Sequence, residues 1–557
     1  MEISRDQVIA KLTSSGMDYE IIEGKVLGRP CRMFKNAPLT LRELFETSRS
    51  EATFLVYGND RYSFNETADI SAQLGNCLLA RYGVSKGDRI AISMRNYPEW
   101  VFAFNAITSI GCVAVAMNSL WQSEEMAFAL NDSGSRLLIA DDERIDRFFE
   151  IRSKTNVDVV GVRALSGSVR EIESLESMLE EQANVLPDIA IDPDDMATIL
   201  YTSGSTGHPK GVISCHRNIL NALFSWELDA QINLELGYTD QALSSYQPAI
   251  LLGVPLFHAS GSHAVMLASY RSQRKLVSMR KWDVEAAAAL IEREKISAFL
   301  GPAAMTGDLE RYARSSKFDL GTMIAVGGGG SPRAPEQVKR IKDSFSAALP
   351  STGWGMTETN AIGTGIAGRD YLAHPGSSGR ASALLDLRIV DPDGVVQDRN
   401  EVGELEVSGV SVIEGYWNRP EQNAQTFNDG WLKTGDVAYI DDEGYLFIVD
   451  RIKDLIIRGG ENIGCAEVEA VLLSCSGVKE ASVYAIPDDR LGEIVGATLS
   501  ITQPFSEGEL RNFLESKLAK FKIPELMILT DKSLPRIASG KIDKRRIREE
   551  AVNFHCP

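Results

Sequence analysis

Tyr201-Thr-Ser-Gly-Ser-Thr-Gly-His-Pro-Lys-Gly211 is the stretch from which the rest of this chain is best read. An apolar run, Met196 to Leu200, enters it, and Val212-Ile213 leaves it. The expected local structure is strand, glycine-rich loop, second strand. Glycines let backbone N–H groups approach an anion, hydroxyls add donors, and Lys210 adds a positive charge, so the loop suits a phosphate cradle. A flexible Ser/Gly surface turn uses the same residue types, but it does not call for a Pro-Lys-Gly ending between two apolar runs. The loop is not a GxxxxGK P-loop, because no Gly precedes Lys210 and no Ser or Thr follows it.

Working outward, apolar runs that suit buried strands alternate with amphipathic helical stretches. Arg89-Ile-Ala-Ile-Ser93, Leu137-Leu-Ile-Ala140, Ile296-Ser-Ala-Phe-Leu300 and Met323-Ile-Ala-Val326 read as strands. Helices are expected near 68–82, 283–294 and 335–345. This alternation predicts a large α/β N-terminal domain built on parallel sheets. The texture changes after about residue 380. Leu387-Arg-Ile-Val390, Asp393-Gly394 and Glu404-Leu-Glu-Val407 read as short strands and a turn, hence a small β subdomain over about 380–449. From 450 a small α+β C-terminal domain is expected, with a helical stripe of Val468, Val471, Leu472 and Cys475 and a strand at Ser482–Ile486. Ser506 and Glu509 make a capping box for a further helix carrying Leu510, Phe513, Leu514 and Leu518. The expected domains are therefore 1–449 and 450–557, joined at Asp450-Arg-Ile-Lys-Asp454.

Composition limits the function. The chain has 557 residues, 44% apolar and 24% charged, which excludes wholesale disorder. Lys and Arg total 58 against 77 Asp and Glu, a net charge of −19. So acidic a chain is a poor non-specific nucleic-acid or anionic-membrane binder. Seven cysteines, an odd number with no CxxC, argue for a reducing, cytoplasmic setting and against a disulfide framework or zinc site. No signal peptide is expected behind MEISRDQVIAKL. Two charge-free stretches, Val101–Gln122 and Gln241–Tyr270, are long enough to cross a membrane. Their Asn, Ser, Pro and His content reads better as helix or loop joined to a buried strand.

Further segments carry a resemblance. Ser351-Thr-Gly-Trp-Gly-Met-Thr-Glu358, Trp431-Leu-Lys-Thr-Gly-Asp436, Asp450-Arg-Ile-Lys-Asp-Leu-Ile-Ile-Arg-Gly-Gly-Glu-Asn462 and Pro535-Arg-Ile-Ala-Ser-Gly-Lys541 follow the glycine-rich loop in order. Together with Lys86-Gly-Asp-Arg-Ile-Ala-Ile92 and Asn96-Tyr-Pro-Glu-Trp100, they resemble the signatures of the adenylate-forming superfamily, in its acyl-CoA synthetase branch. The resemblance implies a two-step reaction. A carboxylate attacks the α-phosphate of ATP to give an acyl-adenylate and pyrophosphate, and a thiol, usually that of coenzyme A, then displaces AMP.

The resemblance also implies roles. Thr202, Ser203, Gly204, Ser205, Thr206, Gly207 and Lys210 would wrap the β and γ phosphates. Thr202 and Glu358 would hold Mg²⁺, and Thr357 would bind the α-phosphate. Gly329, Gly330 and Ser331 would border adenine and the acyl group, beside Gly353, Trp354, Gly355 and Met356. Asp436 and Arg451 would contact the ribose. Lys541 would bridge the substrate carboxylate and the α-phosphate, and Lys453 would be the hinge on which the C-terminal domain rotates. Gly459 and Gly460 would line the pantetheine tunnel.

Val254-Pro-Leu-Phe-His-Ala-Ser-Gly-Ser-His263 resembles the acyl-pocket segment, with His258, Gly261, Ser262 and Gly329 at the pocket. Amino-acid-activating relatives carry an Asp at the position of His258, so a free amino acid is not expected. The neighbours of His258 are apolar, and the segment, with Gly261, resembles that of fatty-acid and bulky-acid CoA ligases more than that of aryl-acid ones, which implies a medium- or long-chain fatty acid first and a bulky alicyclic or steroid-type acid second. The alternatives are loading of a carrier protein, or a non-catalytic nucleotide-binding relative. ATP, Mg²⁺ and coenzyme A are the expected small molecules; a homodimer and a peripheral membrane contact are compatible with the reading.

Overall fold

The computed structural model describes residues 3–163, 172–179, 182–202, 209–240, 245–330, 333–345, 347–452, 454–458, 461–488, 490–537 and 541–555. Two large sheets organise the first part of the chain. One has seven strands in the spatial order Lys210–Cys215, Met196–Thr202, Val113–Ala116, Arg89–Ser93, Leu137–Asp141, Asp158–Val162 and Glu173–Ser174. All its pairings are parallel except the first. The strands at its centre are continuous apolar runs, as sheets covered on both faces require.

The second sheet has nine strands. Its middle is parallel, running Leu349–Thr352, Ala325–Gly328, Ala298–Gly301, Ala249–Leu252, Lys275–Ser278 and Thr53–Tyr57. Antiparallel strands close both edges, Asp60–Ser63 at one and Thr364–Ala367 then Arg380–Ala381 at the other. The charge-free stretches belong to this core. Helix Pro98–Ser109 is buried along its whole length and leads into the buried strand Val113–Ala116. Trp100 and Phe104 stack within it at 5.2 Å. The second stretch holds the strand Ala249–Leu252 and a π-helical turn, Ser262–Leu267. No helix among the described residues is long and apolar enough to cross a membrane.

Beyond these sheets lies an antiparallel five-stranded sheet made of Leu385–Val390, Gly403–Gly409, Phe427–Asn428, Trp431–Ile440 and Leu446–Arg451. A last five-stranded sheet carries helices Cys465–Ser474, Glu507–Glu515 and Lys544–His555. The architecture is thus a large, mostly parallel α/β part with a small β sheet, followed by a smaller α+β part. The Ser506–Glu509 capping box forms as expected.

Two strand expectations shift. The strand placed at Met323–Val326 runs from Ala325 to Gly328, and that placed at Ile296–Leu300 runs from Ala298 to Gly301. Met323 and Ile296 are fully buried, but their N–H groups bond locally, to Leu320 O and Ile291 O. Apolar content marked burial there, whereas the ladder is set by the neighbouring parallel strands. The helix carrying Leu510 ends at Glu515, so Leu518 joins the core from the following turn.

Candidate active site

Four adjacent parallel strands end at one edge of the nine-stranded sheet, and each hands over a loop there. Ala249–Leu252 leads to His258, Ala298–Gly301 to Pro302, Ala325–Gly328 to Gly329-Gly330, and Leu349–Thr352 to Gly353–Glu358. The carboxyl edge of an open parallel sheet is where such folds bind ligands. Thr202 ends one strand of the other sheet directly opposite Lys210 on the next, so the glycine-rich loop joins two paired residues.

Glu358 sits in a short turn, Thr357–Thr359, and is 8% exposed. Its Oε1 accepts a hydrogen bond from the Tyr416 hydroxyl at 2.9 Å. Burial pushes the carboxyl above the usual range, against that bond and the charges of Arg451 and Lys210. The Lys210 ammonium stands 5.0 Å from the centre of the Tyr416 ring. Tyr416 therefore meets both residues, with its hydroxyl and its ring face. It was missed by sequence reasoning. No local sequence signal flags it; tertiary contacts place it, with Ile213 N donating to Gly415 O and Trp417 N to Gly211 O, so that Gly415-Tyr416-Trp417 is laced to the strand after the loop.

Asp436 forms a second centre. It pairs across the small sheet with Arg451, whose Nε lies 2.6 Å from Oδ1, and Trp354 Nε1 donates to Oδ2 at 2.7 Å. The carboxylate is 2% exposed. Burial raises its pKa, with Arg451 and Trp354 pulling it down. This network ties the Ser351–Glu358 segment to the small sheet. Arg333, also missed, braces the edge from behind. Its buried guanidinium donates to Ser351 O at 3.3 Å and Thr306 Oγ1 at 3.1 Å.

Lys541 arrives from the other end of the chain. A Cβ placed on Gly330 would stand 3.5 Å from Lys541 Cε and 3.6 Å from Nζ. Gly330 also has φ of +71°, which favours glycine. Lys541 is exposed at its surface. Even so, desolvation by surrounding protein and the Arg451 charge lower its pKa, with Asp436 opposing them. The same ammonium helps depress His258, whose pKa is held at about 4 mainly by burial. Among the described residues His258 Nε2 has no hydrogen-bond partner. Gly261 allows a tight fold-back, since a Cβ there would lie 2.1 Å from Pro255 O. Ser262 is spent on packing, its hydroxyl donating to His258 O at 3.0 Å.

The structure thus brings Thr202 opposite Lys210, and gathers Lys210, Glu358, Asp436, Arg451, Trp354, Gly330, His258 and Lys541. Gly329, Gly353, Gly355, Met356 and Thr357 lie on the loops at that edge. Ser203 to Gly207, Ser331, Lys453, Gly459 and Gly460 lie outside the described residues. Among the described residues no three His, Cys, Asp or Glu side chains gather as a metal cluster.

With this geometry in view, the known families can be compared. The AMP-binding enzyme family matches residues 43–417, and its C-terminal domain matches residues 467–541. The chain belongs to the AMP-binding enzyme family. It is an AMP-forming acid–thiol ligase of the adenylate-forming superfamily, in the acyl-CoA synthetase branch. It is 32% identical over 490 residues to the long-chain-fatty-acid–CoA ligase FadD13 of Mycobacterium tuberculosis, covering 87% of this chain and 92% of that one. It is 32% identical over 502 residues to a feruloyl-CoA synthase of Amycolatopsis sp., covering 89% and 95%. The o-succinylbenzoate–CoA synthetase of Bacillus subtilis, solved with ATP and magnesium ion, superposes with a TM-score of 0.77 at 30% identity, over 92% of this chain and 99% of that one.

Proposed function

We propose that this ligase activates a hydrophobic carboxylic acid with ATP and passes it to coenzyme A. The observation that carries the reading is the convergence of Lys541 on Gly330, within electrostatic reach of Asp436, Arg451 and His258. A cation from the last part of the chain reaches the loop edge where a carboxylate must meet the α-phosphate. In the first step the acid oxygen bonds to the α-phosphorus, and the bond to the β-phosphate oxygen breaks. Lys541 offsets the negative charge gathered there, Lys210 holds the leaving phosphates, and Thr357 donates to the α-phosphate. Asp436 accepts from the ribose hydroxyls, oriented by Trp354 and Arg451. In the second step a thiol attacks the acyl carbon and AMP leaves, carrying the oxygen that came from the acid.

Glu358 and Thr202 fit a Mg²⁺ site. Glu358 is a desolvated carboxylate with one oxygen held by Tyr416, and a hard cation sharing phosphate oxygens needs few protein ligands. When bound, the ion neutralises phosphate charge. We further propose that the parts divide near residues 449 and 450, that Lys453 is the hinge, and that Gly459 and Gly460 admit pantetheine.

The relatives named above act on three different acids, so the acid class must rest on this chain's own pocket segment. That segment carries no charged side chain from Ala249 to Tyr270, and its two imidazoles are held neutral by burial. Leu256, Phe257, Val265 and Met266 are buried within it. Nothing there would pair with an ammonium or a second carboxylate, which supports a fatty or bulky apolar acid. The test is AMP and pyrophosphate release over octanoate, palmitate, a bile acid, benzoate and an amino acid, each with and without coenzyme A. CoA-dependent turnover of octanoate, palmitate or the bile acid is expected. A sharp preference for benzoate, or turnover indifferent to CoA, would overturn the reading.

A further inference from the structure

Lys541 stands on one arm of a hairpin. Ile537 N donates to Lys541 O at 2.9 Å, Asp543 N donates to Pro535 O at 2.8 Å, and Arg536 bridges to Ile542. Arms laddered in this way move together, so whatever fixes their feet fixes the Lys541 backbone. Apolar packing does so at the base and through Ile542, which is partly buried against the same cluster. Leu534 is buried in a small cluster with Tyr484, Ile486, Ile494, Ile547 and Ala551, whereas Ile537 is 40% exposed.

Two carboxylates also hold the hairpin, one at each foot. Glu480, on strand Val478–Asp488 and 9% exposed, accepts from Leu534 N at 2.7 Å and pairs with Arg536. Glu469, on helix Cys465–Ser474, pairs with Lys544 Nζ at 2.7 Å. It also accepts from Val483 N at 2.8 Å, so one carboxylate ties helix, strand and hairpin foot together. Desolvation works against the Lys544 ammonium, but Glu469 together with the nearby Cys465 and Asp450 holds the pKa above the ordinary lysine value. Lys544 is only three residues beyond Lys541. Neither pair is made of residues placed at the nucleotide edge; the Glu469–Lys544 pair reaches it through the charge of Asp450, next to Arg451.

We propose that Glu480–Arg536 and Glu469–Lys544 are positioning pairs that set where Lys541 Nζ arrives beside Gly330, and that they serve adenylate formation alone. The inference rests on the proposed role of Lys541. A reacting group displaced by about 1 Å costs on the order of 10²-fold in rate. The thioester step makes no use of that ammonium, so it should not register the shift.

The experiment separates the half-reactions in full-length protein. Adenylate formation is read as ATP–pyrophosphate exchange with octanoate, or with the acid the wild type turns over fastest. Thioester formation is read as CoA consumption from the chemically made adenylate of the same acid. Lys544→Met and Glu480→Gln should each lower exchange roughly 10- to 100-fold, with thioester formation within about threefold of wild type. Lys544→Arg, which keeps the ion pair, should restore exchange. Equal loss in both halves would mean that the pairs only hold the fold, and unchanged exchange would mean that they hold nothing relevant; either overturns the inference. Lys541→Ala is the control. If it leaves exchange intact, the reading of Lys541 itself fails, whereas if it abolishes exchange while Lys544→Met does not, only the positioning inference fails.

Discussion

The Asp436–Glu358 edge and the Lys541 hairpin solve opposite problems. At the edge, Asp436 is 2% exposed and Glu358 8%, and each is held by an aromatic donor, Trp354 or Tyr416. Asp436 lies within the strand Trp431–Ile440 and Glu358 in the turn Thr357–Thr359 that follows the strand Leu349–Thr352. Lys541 is exposed and sits on a hairpin anchored through side-chain ion pairs. Buried polar networks give preorganisation, because displacing one member leaves another unpaired in a low dielectric. Lys541 enters no such hydrogen-bonded network at the edge among the described residues, so a laddered hairpin can withdraw it without stranding a buried partner. On the proposed function, a two-step ligase uses both kinds of group, one standing ready for the nucleotide and one delivered for a single step.

Removal of the delivered group should give the largest effect. Lys541→Ala is expected to lower ATP–pyrophosphate exchange by roughly 10³-fold, near the top of the range for losing one charge-stabilising donor. Thioester formation from supplied adenylate should stay near wild type. Comparable loss in both steps would break the contrast between the two regions.

Asp436→Ala attacks the standing network. It strands the Trp354 N–H and takes the partner from Arg451, whose side chain is 45% exposed, so the cost falls below the about 3–5 kcal/mol of a fully buried pair. The apparent KM for ATP should rise by about 10² at fixed acid concentration, a loss of roughly 2.7 kcal/mol at 1.36 kcal/mol per decade, with a lowered thermal midpoint. A normal midpoint with normal KM would show that the pair is peripheral. Tyr416→Phe is gentler, since it keeps the ring beneath Lys210 and removes only the hydroxyl that donates to Glu358. A lost hydrogen bond to a charged group is worth about 1.5–3 kcal/mol. A Mg²⁺ titration of pyrophosphate release should therefore shift by about tenfold or more to higher Mg²⁺, with the maximum rate less affected.

Acid sensitivity should originate on the large part. His216 and His258 are held at about 4 and His263 at about 3, in each case chiefly by burial. Between those values and the ordinary 6.5, the unfolded chain binds protons that the folded chain does not. Stability therefore falls as pH drops through that window, by about 1.4 kcal/mol per pH unit for each imidazole. Thermal midpoints measured from pH 7 to 5 should fall less steeply in His263→Leu than in wild type. The smallest effect sharpens the comparison from within the small part. Ser506→Ala removes a helix cap far from the hairpin in sequence, and should cost about 1 kcal/mol in denaturant melts. Both half-reactions should be unchanged relative to each other, unlike the outcome for Lys541.

Much of the fold was legible because its signals are local. Arg89–Ser93 and Leu137–Asp141 are apolar runs of strand length, and Ser506 with Glu509 is a cap whose two members lie three residues apart. The order of the nine-stranded sheet was not legible. Thr53–Tyr57 pairs with Lys275–Ser278, more than two hundred residues away, and no periodicity encodes a partner at that distance. The same holds in the site. Glycine-rich signatures pointed to Lys210, Glu358, Asp436 and Lys541, but not to Tyr416 or Arg333, whose importance lies in what they touch.

By itself, then, the sequence determined the element types, the two-part organisation, the family and the residues proposed to bear chemistry, because each is written in neighbouring residues or short motifs. Tertiary structure alone decided that Tyr416 faces both Glu358 and Lys210, that Trp354 shares Asp436 with Arg451, and that Glu469 and Glu480 grip the hairpin of Lys541. Those contacts join residues that are distant in the chain. Their energy depends on burial and geometry, and both arise only when sheets, loops and hairpin are packed together.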